Sequence, residues 1–231
     1  MLTLILLLKI LAPYSRKANY CYSALLAVVK KIPVIQKIVF TIGFFLMPFG
    51  IVAQTTCHVY DVVRQKEVIG SLIATKKYFT EGFSITIDSR TSINLLIDFD
   101  INVYQFNKYR NGKLTDALFI QSLNGRRKIH NTLQWTSNNY SLQKNGQTTS
   151  MDNVVDYSVA CMYFEEPMLI QKVFSENQLT MLSVHNVSDH CYEVQLPDGK
   201  RNYYSYREGV LVHAKLSARF TTVELILKES K

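Results

Sequence analysis

Asp98 and Asp100 stand two residues apart in an alternating stretch, so a regular strand places both carboxylates on one face, as an acid–base pair requires. Such a pair works only where burial separates the two pKa values, and Asn94 and Asn102 on the same face mark a solvated surface instead. His185, His190 and His213, with Asp189 and Glu193 nearby, are the residue types of a zinc site, which needs three or four ligands converging from fixed positions. His190 and Glu193 differ in parity, however, and point to opposite faces of a regular strand. Cys57, Cys161 and Cys191 allow one disulfide and an odd thiol in an oxidising compartment. Cys161 sits in an apolar run and reads as a buried thiol acting as a small hydrophobe. Pairing it with His190 as nucleophile and base rests on the residue types alone. No Gly-x-Ser-x-Gly, His-Glu-x-x-His or phosphate-cradling glycine loop occurs. We therefore assign no catalytic, metal-binding or cofactor-binding residue.

The elements that would carry these residues are strands. Ile93, Leu95, Ile97, Phe99, Ile101 and Val103 alternate with polar neighbours, as do Phe83, Ile85 and Ile87. Ile129, Leu133 and Trp135 share a parity, as do Tyr192, Val194 and Leu196, and Val210, Val212, Ala214 and Leu216. One apolar face per strand predicts an antiparallel sheet buried on a single side. Asn-Gly pairs at 111–112, 124–125 and 145–146 predict tight hairpins, with Asp198-Gly199 as a fourth and Glu81-Gly82 and Glu208-Gly209 as weaker signals. Gly70, inside an apparent strand, marks a bulge. The apolar run Val154–Phe164, between Asp152-Asn153 and Pro167, predicts one short buried helix plugging the sheet. The expected fold is mainly β: an antiparallel meander of about ten strands forming a highly curved sheet or partly open barrel, with that helix at about 154–164.

Composition divides the chain. Of its 231 residues, the first 53 hold six basic residues and no acidic one; the remainder has 20 basic against 18 acidic. A near-neutral body argues against a nucleic-acid partner. Residues 30–53 join Lys30-Lys31 to the apolar run Ile38–Val52 and the small Ala53, the layout of a signal peptide cleaved between Ala53 and Gln54. The alternative is an uncleaved N-terminal membrane anchor. Residues 1–29 fit no such layout, and we expect translation to begin near Val29, the competing reading being a membrane hairpin from Leu2 to Val52. Residues 54–231 suit one β-rich domain. It is expected to be exported, periplasmic or secreted, touching the membrane only through the signal segment.

The basic clusters Arg126-Arg127-Lys128 and Lys200-Arg201 follow turn signals and read as solvated hairpin tips. Trp135, Tyr140, Tyr192, Tyr203, Tyr204 and Tyr206 crowd the later strands, either as cross-strand pairs or as the lining of an apolar cleft. Several segments carry a resemblance: His58, Tyr60 and Val62; Ile69-Gly70-Ser71-Leu72 with Ala74-Thr75-Lys76; Tyr163-Phe164-Glu165-Glu166-Pro167; and Leu196-Pro197-Asp198-Gly199-Lys200-Arg201-Asn202-Tyr203-Tyr204. Over about 57–228 the chain resembles an uncharacterised family of exported bacterial proteins with a domain of unknown function, which implies no activity or site residues. At fold level it is also similar to the half-open barrels of periplasmic lipoprotein carriers. The leading expectation is a non-enzymatic envelope protein binding a lipid or other hydrophobic molecule on the concave face. The alternatives are an interaction module for another envelope protein and an enzyme whose site carries no recognisable motif.

Overall fold

The computed structural model describes residues 54–94, 98–217 and 221–231. The expected leader segments, with Ala53 of the cleavage point, lie outside the described residues. Alternation produces fourteen strands: β1 (Thr55–Arg64), β2 (Glu67–Phe79), β3 (Gly82–Asn94), β4 (Asp98–Arg110), β5 (Lys113–Leu123), β6 (Arg126–Trp135), β7 (Tyr140–Lys144), β8 (Gln147–Met151), β9 (Lys172–Ser175), β10 (Thr180–Ser188), β11 (Cys191–Gln195), β12 (Arg201–Arg207), β13 (Val210–Ser217) and β14 (Thr222–Ser230). They form one antiparallel sheet, in the order β8 to β1 and then β14 down to β9. It is a curled, open sheet, as expected. Asn111-Gly112, Asn124-Gly125, Asn145-Gly146 and Glu208-Gly209 turn with φ positive at both residues, the geometry that lets a two-residue hairpin follow the strand twist.

Two expectations need correction. The strand count exceeds ten, partly because the run Ile93–Val103 spans two strands. Asn94 pairs with Asp98 and Ile93 with Phe99, so β3 ends at Asn94 and β4 begins at Asp98. Because both members of the pair Ile93–Phe99 are odd-numbered, the apolar parity of β3 carries over to β4 without a shift that would mark the boundary. Leu95-Leu96-Ile97 contains no glycine, proline or asparagine to announce it. Nor is the run 154–164 an α-helix; only Cys161–Tyr163 coils, as a 3₁₀ turn. Extended chain serves better here because it lies beside open strand edges. The Leu114 N–H donates to the Val155 carbonyl at 2.8 Å, the Val159 N–H to Phe174 at 2.9 Å, and the Phe174 N–H to Tyr157 at 3.1 Å. The edge of β9 is thereby covered. The bulge expected near Gly70 is present: the β1–β2 register slips between Val62, opposite Gly70, and Val63, opposite Val68.

Strand direction defines two rims. The upper rim holds Gln54 at the start of β1, the turns at 80–81, 111–112, 136–139, 189–190 and 208–209, and both ends of the crossover segment 152–171. The crossover dips from that rim into the concave face. Val155, Tyr157, Ala160, Cys161, Met162 and Tyr163 join the buried core there.

Candidate functional site

Tyrosines on the inward parity form the seat of the crossover. A buried phenol needs a partner for its hydroxyl, and here the partners are backbone groups that would otherwise be stranded. The Tyr60 hydroxyl lies 3.1 Å from the Leu211 carbonyl and 3.4 Å from that of Tyr163, a donor shared between them. Tyr206 donates to the Met162 carbonyl at 2.9 Å, and Tyr140 accepts from the Val155 N–H at 3.2 Å. The His58 Nδ1–H donates to the Tyr163 carbonyl at 2.9 Å, and its ring stacks on Phe164. Burial lowers the His58 pKa, against the raising effect of that hydrogen bond. The Cys161 thiol donates to the Tyr109 hydroxyl at 3.3 Å.

Two carboxylates fasten the crossover to opposite arms of the sheet. Glu165 pairs with Lys76 of β2, whose side chain is 3% exposed and whose Nζ lies 4.3 Å from the Phe83 ring centroid. Burial works against the Lys76 ammonium, but the Glu165 hydrogen bond and charge outweigh it and raise the pKa. Glu166 accepts from the Tyr192 hydroxyl of β11 at 2.7 Å and lies 3.0 Å from His190 Nδ1. Burial and the adjacent Glu166 push the Tyr192 phenol up to about 12.

A third contact gathers the far edge of the sheet. Glu176, 2% exposed, follows β9 and meets β4 and β6 from above the concave face. Asn107 donates to its Oε1 at 2.5 Å and approaches Ser158 Oγ at 3.2 Å, while Gln105 donates to Asn107 Oδ1 at 3.2 Å. Asn131 Nδ2 donates to the Glu176 and Asn177 carbonyls at 3.1 and 2.7 Å, leaving its buried Oδ1 without a partner among the described residues. Burial raises the Glu176 pKa, opposed by hydrogen bonds from Ser158 and Asn107. Amide side chains, rather than another strand pairing, thus tie the β9–β10 hairpin to the first arm.

Toward the lower rim the same concave face is apolar and only partly covered. Phe99, Ile101 and Val103 share the parity of Asn107 and Tyr109 with no register slip along β3–β4. Ile101 pairs with Leu123, and Gln121 pairs with Ile129. Phe99, Ile101, Val103, Leu123 and Ile129 are all half-buried. A separate depression of about 310 Å3 lies on the outer wall between Asp88, Arg90, Tyr104 and Ser122.

Most residues whose types suggested chemistry lie apart. Asp98 and Asp100 are exposed, with Asp100 accepting from Ser92 at 2.6 Å. His185 is exposed, His213 pairs with Glu224 at 2.8 Å, and His190 turns to Glu166, so the three histidines do not converge. Among the described residues no group of three or more His, Cys, Asp or Glu side chains is placed to hold a metal ion. Cys57, Cys161 and Cys191 are all unbridged. Cys161 is buried, its thiol pushed up to about 11 chiefly by burial, and its partner is Tyr109 rather than His190. Asp189 is exposed, while Glu193 is buried and pairs with Arg201 at 3.3 Å. Lys200 pairs with Asp198, and Arg126, Arg127 and Lys128 are exposed. Trp135 and Tyr140 do form a cross-strand pair at 4.7 Å, and Tyr192 packs on Tyr206 at 5.7 Å; Tyr204 is buried and Tyr203 faces out. Residue types alone did not single out His58, Tyr60, Asn107, Asn131 and Glu176 as working residues. The available signal was polarity on the inward parity, as at Lys76 between Ala74 and Tyr78.

These features define a class: an open, curled antiparallel meander whose concave face holds the protein's own crossover segment. The chain belongs to the DUF6134 family, a domain of unknown function whose profile matches residues 60–228. Membership of an uncharacterised family agrees with the resemblance read from its motifs. No curated protein matches. A solved structure that is similar is a β-barrel-like protein of the domain of unknown function DUF1849 from Brucella abortus, at 12% identity, covering 77% of this chain and 97% of that one with a TM-score of 0.44.

Proposed function

We propose that this domain is a non-enzymatic, exported envelope protein that binds a lipid or another hydrophobic molecule on the lower half of its concave face. The observation that carries this reading is the row Phe99, Ile101 and Val103, backed by Leu123 and Ile129. These apolar side chains stay half-exposed on the face whose upper half is packed by the crossover. Ligand clefts are lined mainly by such groups, with a few polar ones at one end, and Gln105 and Asn131 stand at that end. The upper half supports binding over chemistry, because its polar groups hold the crossover in place and the Cys161 thiol stays protonated at neutral pH. Native mass spectrometry of protein from an exporting host, before and after delipidation, tests the proposal. We expect an extra mass in the lipid range that delipidation removes and that Val103→Asp abolishes. A clean unliganded mass in both preparations overturns it.

A second reading, an interaction module using strand addition, is favoured by β8. That strand ends the sheet, its residues 147–150 are exposed, and it carries no charge or proline to discourage pairing. Loss of a specific cross-link to an envelope protein in Thr149→Pro, with the ligand mass unchanged, selects this reading.

A further inference from the structure

The two ends of the sheet differ. β9 is shielded: Ser158 bridges to Phe174, the Val159 N–H donates to the Phe174 carbonyl, and the Phe174 N–H donates to that of Tyr157. β8 ends the sheet with no neighbour on its outer side among the described residues. Asn145-Gly146 closes the β7–β8 hairpin as a two-residue turn with positive φ at both positions. In such a hairpin the residues flanking the turn, Lys144 and Gln147, form the first pair that exchanges hydrogen bonds, and the pattern alternates along the strands. Gln147, Thr149 and Met151 therefore turn their backbone groups to β7, and Thr148 and Ser150 turn theirs to the open edge. Residues 147–150 are exposed, and the β7–β8 register has no slip that would twist the edge away.

We infer that β8 pairs antiparallel with β8 of a second copy, around a two-fold axis at Thr149. This rests on the strand-addition reading above and fixes the partner as this chain itself. A two-fold axis at Thr149 sets Thr148 opposite Ser150 of the second copy, so every N–H and C=O that these residues present at the edge meets a partner. The side chains agree with that register. Thr149 faces its own counterpart and Thr148 faces Ser150, and Thr–Thr and Thr–Ser pairs across strands are favourable. No charge lies within Gln147–Met151, so no like charges are brought opposite each other. Exposed Lys144 stands at one end of the strand and exposed Asp152 at the other; antiparallel pairing brings the lysine end of each copy to the aspartate end of the other. A different partner strand would need none of this self-complementarity. A strand pair this short buries less than about 1,000 Å2, so the dimer is transient and is read by trapping it.

The test uses the full chain, as the exporting host processes it, with Cys57→Ser and Cys191→Ser removing the partly exposed thiols. Thr149→Cys is compared with Thr148→Cys under mild oxidation. Facing Cβ atoms at a pair that exchanges no hydrogen bonds lie within disulfide reach, whereas two copies of position 148 are offset along the strands beyond it. The expected result is at least a roughly tenfold greater yield of disulfide-linked dimer from T149C than from T148C. Ser150→Pro removes an N–H at the open edge and leaves the ladder to β7 whole; it is expected to cut the T149C yield to that of T148C. Equal yields from the two cysteine positions, or a T149C yield that Ser150→Pro leaves unchanged, overturn the proposal. No linked dimer alongside a retained β8 cross-link to another envelope protein overturns self-pairing alone; loss of both overturns strand addition as well.

Discussion

Asn107 of β4 and Glu176, 69 residues later, meet at 2.5 Å and join the first arm of the sheet to the hairpin at its far edge. Glu176 is not ionised cheaply in this place. Burial holds the Glu176 carboxyl above its ordinary 4.5, so the folded domain keeps a proton that the unfolded chain releases.

The sign of the pH dependence follows. Below pH 4.5 both states are protonated and Glu176 adds no penalty; as pH rises toward the raised folded value, stability is lost. Glu176→Gln keeps the shape and the acceptor for Asn107 but has no proton to lose. Its stability relative to wild type is expected to match near pH 4 and to climb with pH before levelling off. Urea unfolding across the range measures this, and a gap independent of pH refutes it.

Tyr60→Phe removes the hydroxyl shared by the Leu211 and Tyr163 carbonyls while leaving the ring against Tyr163. The Leu211 carbonyl then loses this donor while the Tyr163 carbonyl keeps that of His58, at a cost of about 1 kcal/mol. Amide exchange should quicken within 160–166 and stay unchanged in β3–β5. Uniform acceleration across the sheet would show that the hydroxyl serves the whole core instead of the crossover.

Gly70→Ala has little room. A Cβ there falls 2.1 Å from the Arg90 carbonyl oxygen and 2.7 Å from Thr91 Cα, both backbone atoms. Since backbone must shift to admit a methyl group, a loss of about 1–3 kcal/mol is expected, measured by thermal or denaturant unfolding. A neutral outcome would mean that the bulge beside Val62 is loose enough to absorb it.

Thiol labelling separates the cysteines. Cys57 and Cys191 are partly exposed, whereas Cys161 is buried with its thiol at about 11. Iodoacetamide at neutral pH should modify the first two in the native domain and Cys161 only after denaturation, as read by peptide mass. Early modification of Cys161 would show that the crossover opens readily.

Much of the sheet was legible because its information is local. Asn-Gly turns and parity place each strand against its sequence neighbour, and one polar face accompanies one apolar face along β4. The β3–β4 boundary escaped because even register hides it, and the crossover was misread because a short apolar run looks the same in a buried helix and in extended chain. The working contacts were hidden for another reason. Lys76 and Glu165 are 89 residues apart, and Tyr60 and Tyr163 are 103 apart, so their meeting depends on how the sheet curls. Both pairs lie within the segments that carry the family resemblance, yet sequence shows those segments only as separate pieces.

The strand order has a kinetic meaning. Among the described strands every pairing but one joins neighbours in sequence; β1 with β14 is the exception. Each arm can therefore zip hairpin by hairpin with little loop-closure cost, and the first eight strands need not wait for the last six. The β1–β14 seam demands closure of nearly the whole domain, matching Tyr60 to Leu227 across it. It therefore carries the largest loop-closure cost of any pairing among the described strands.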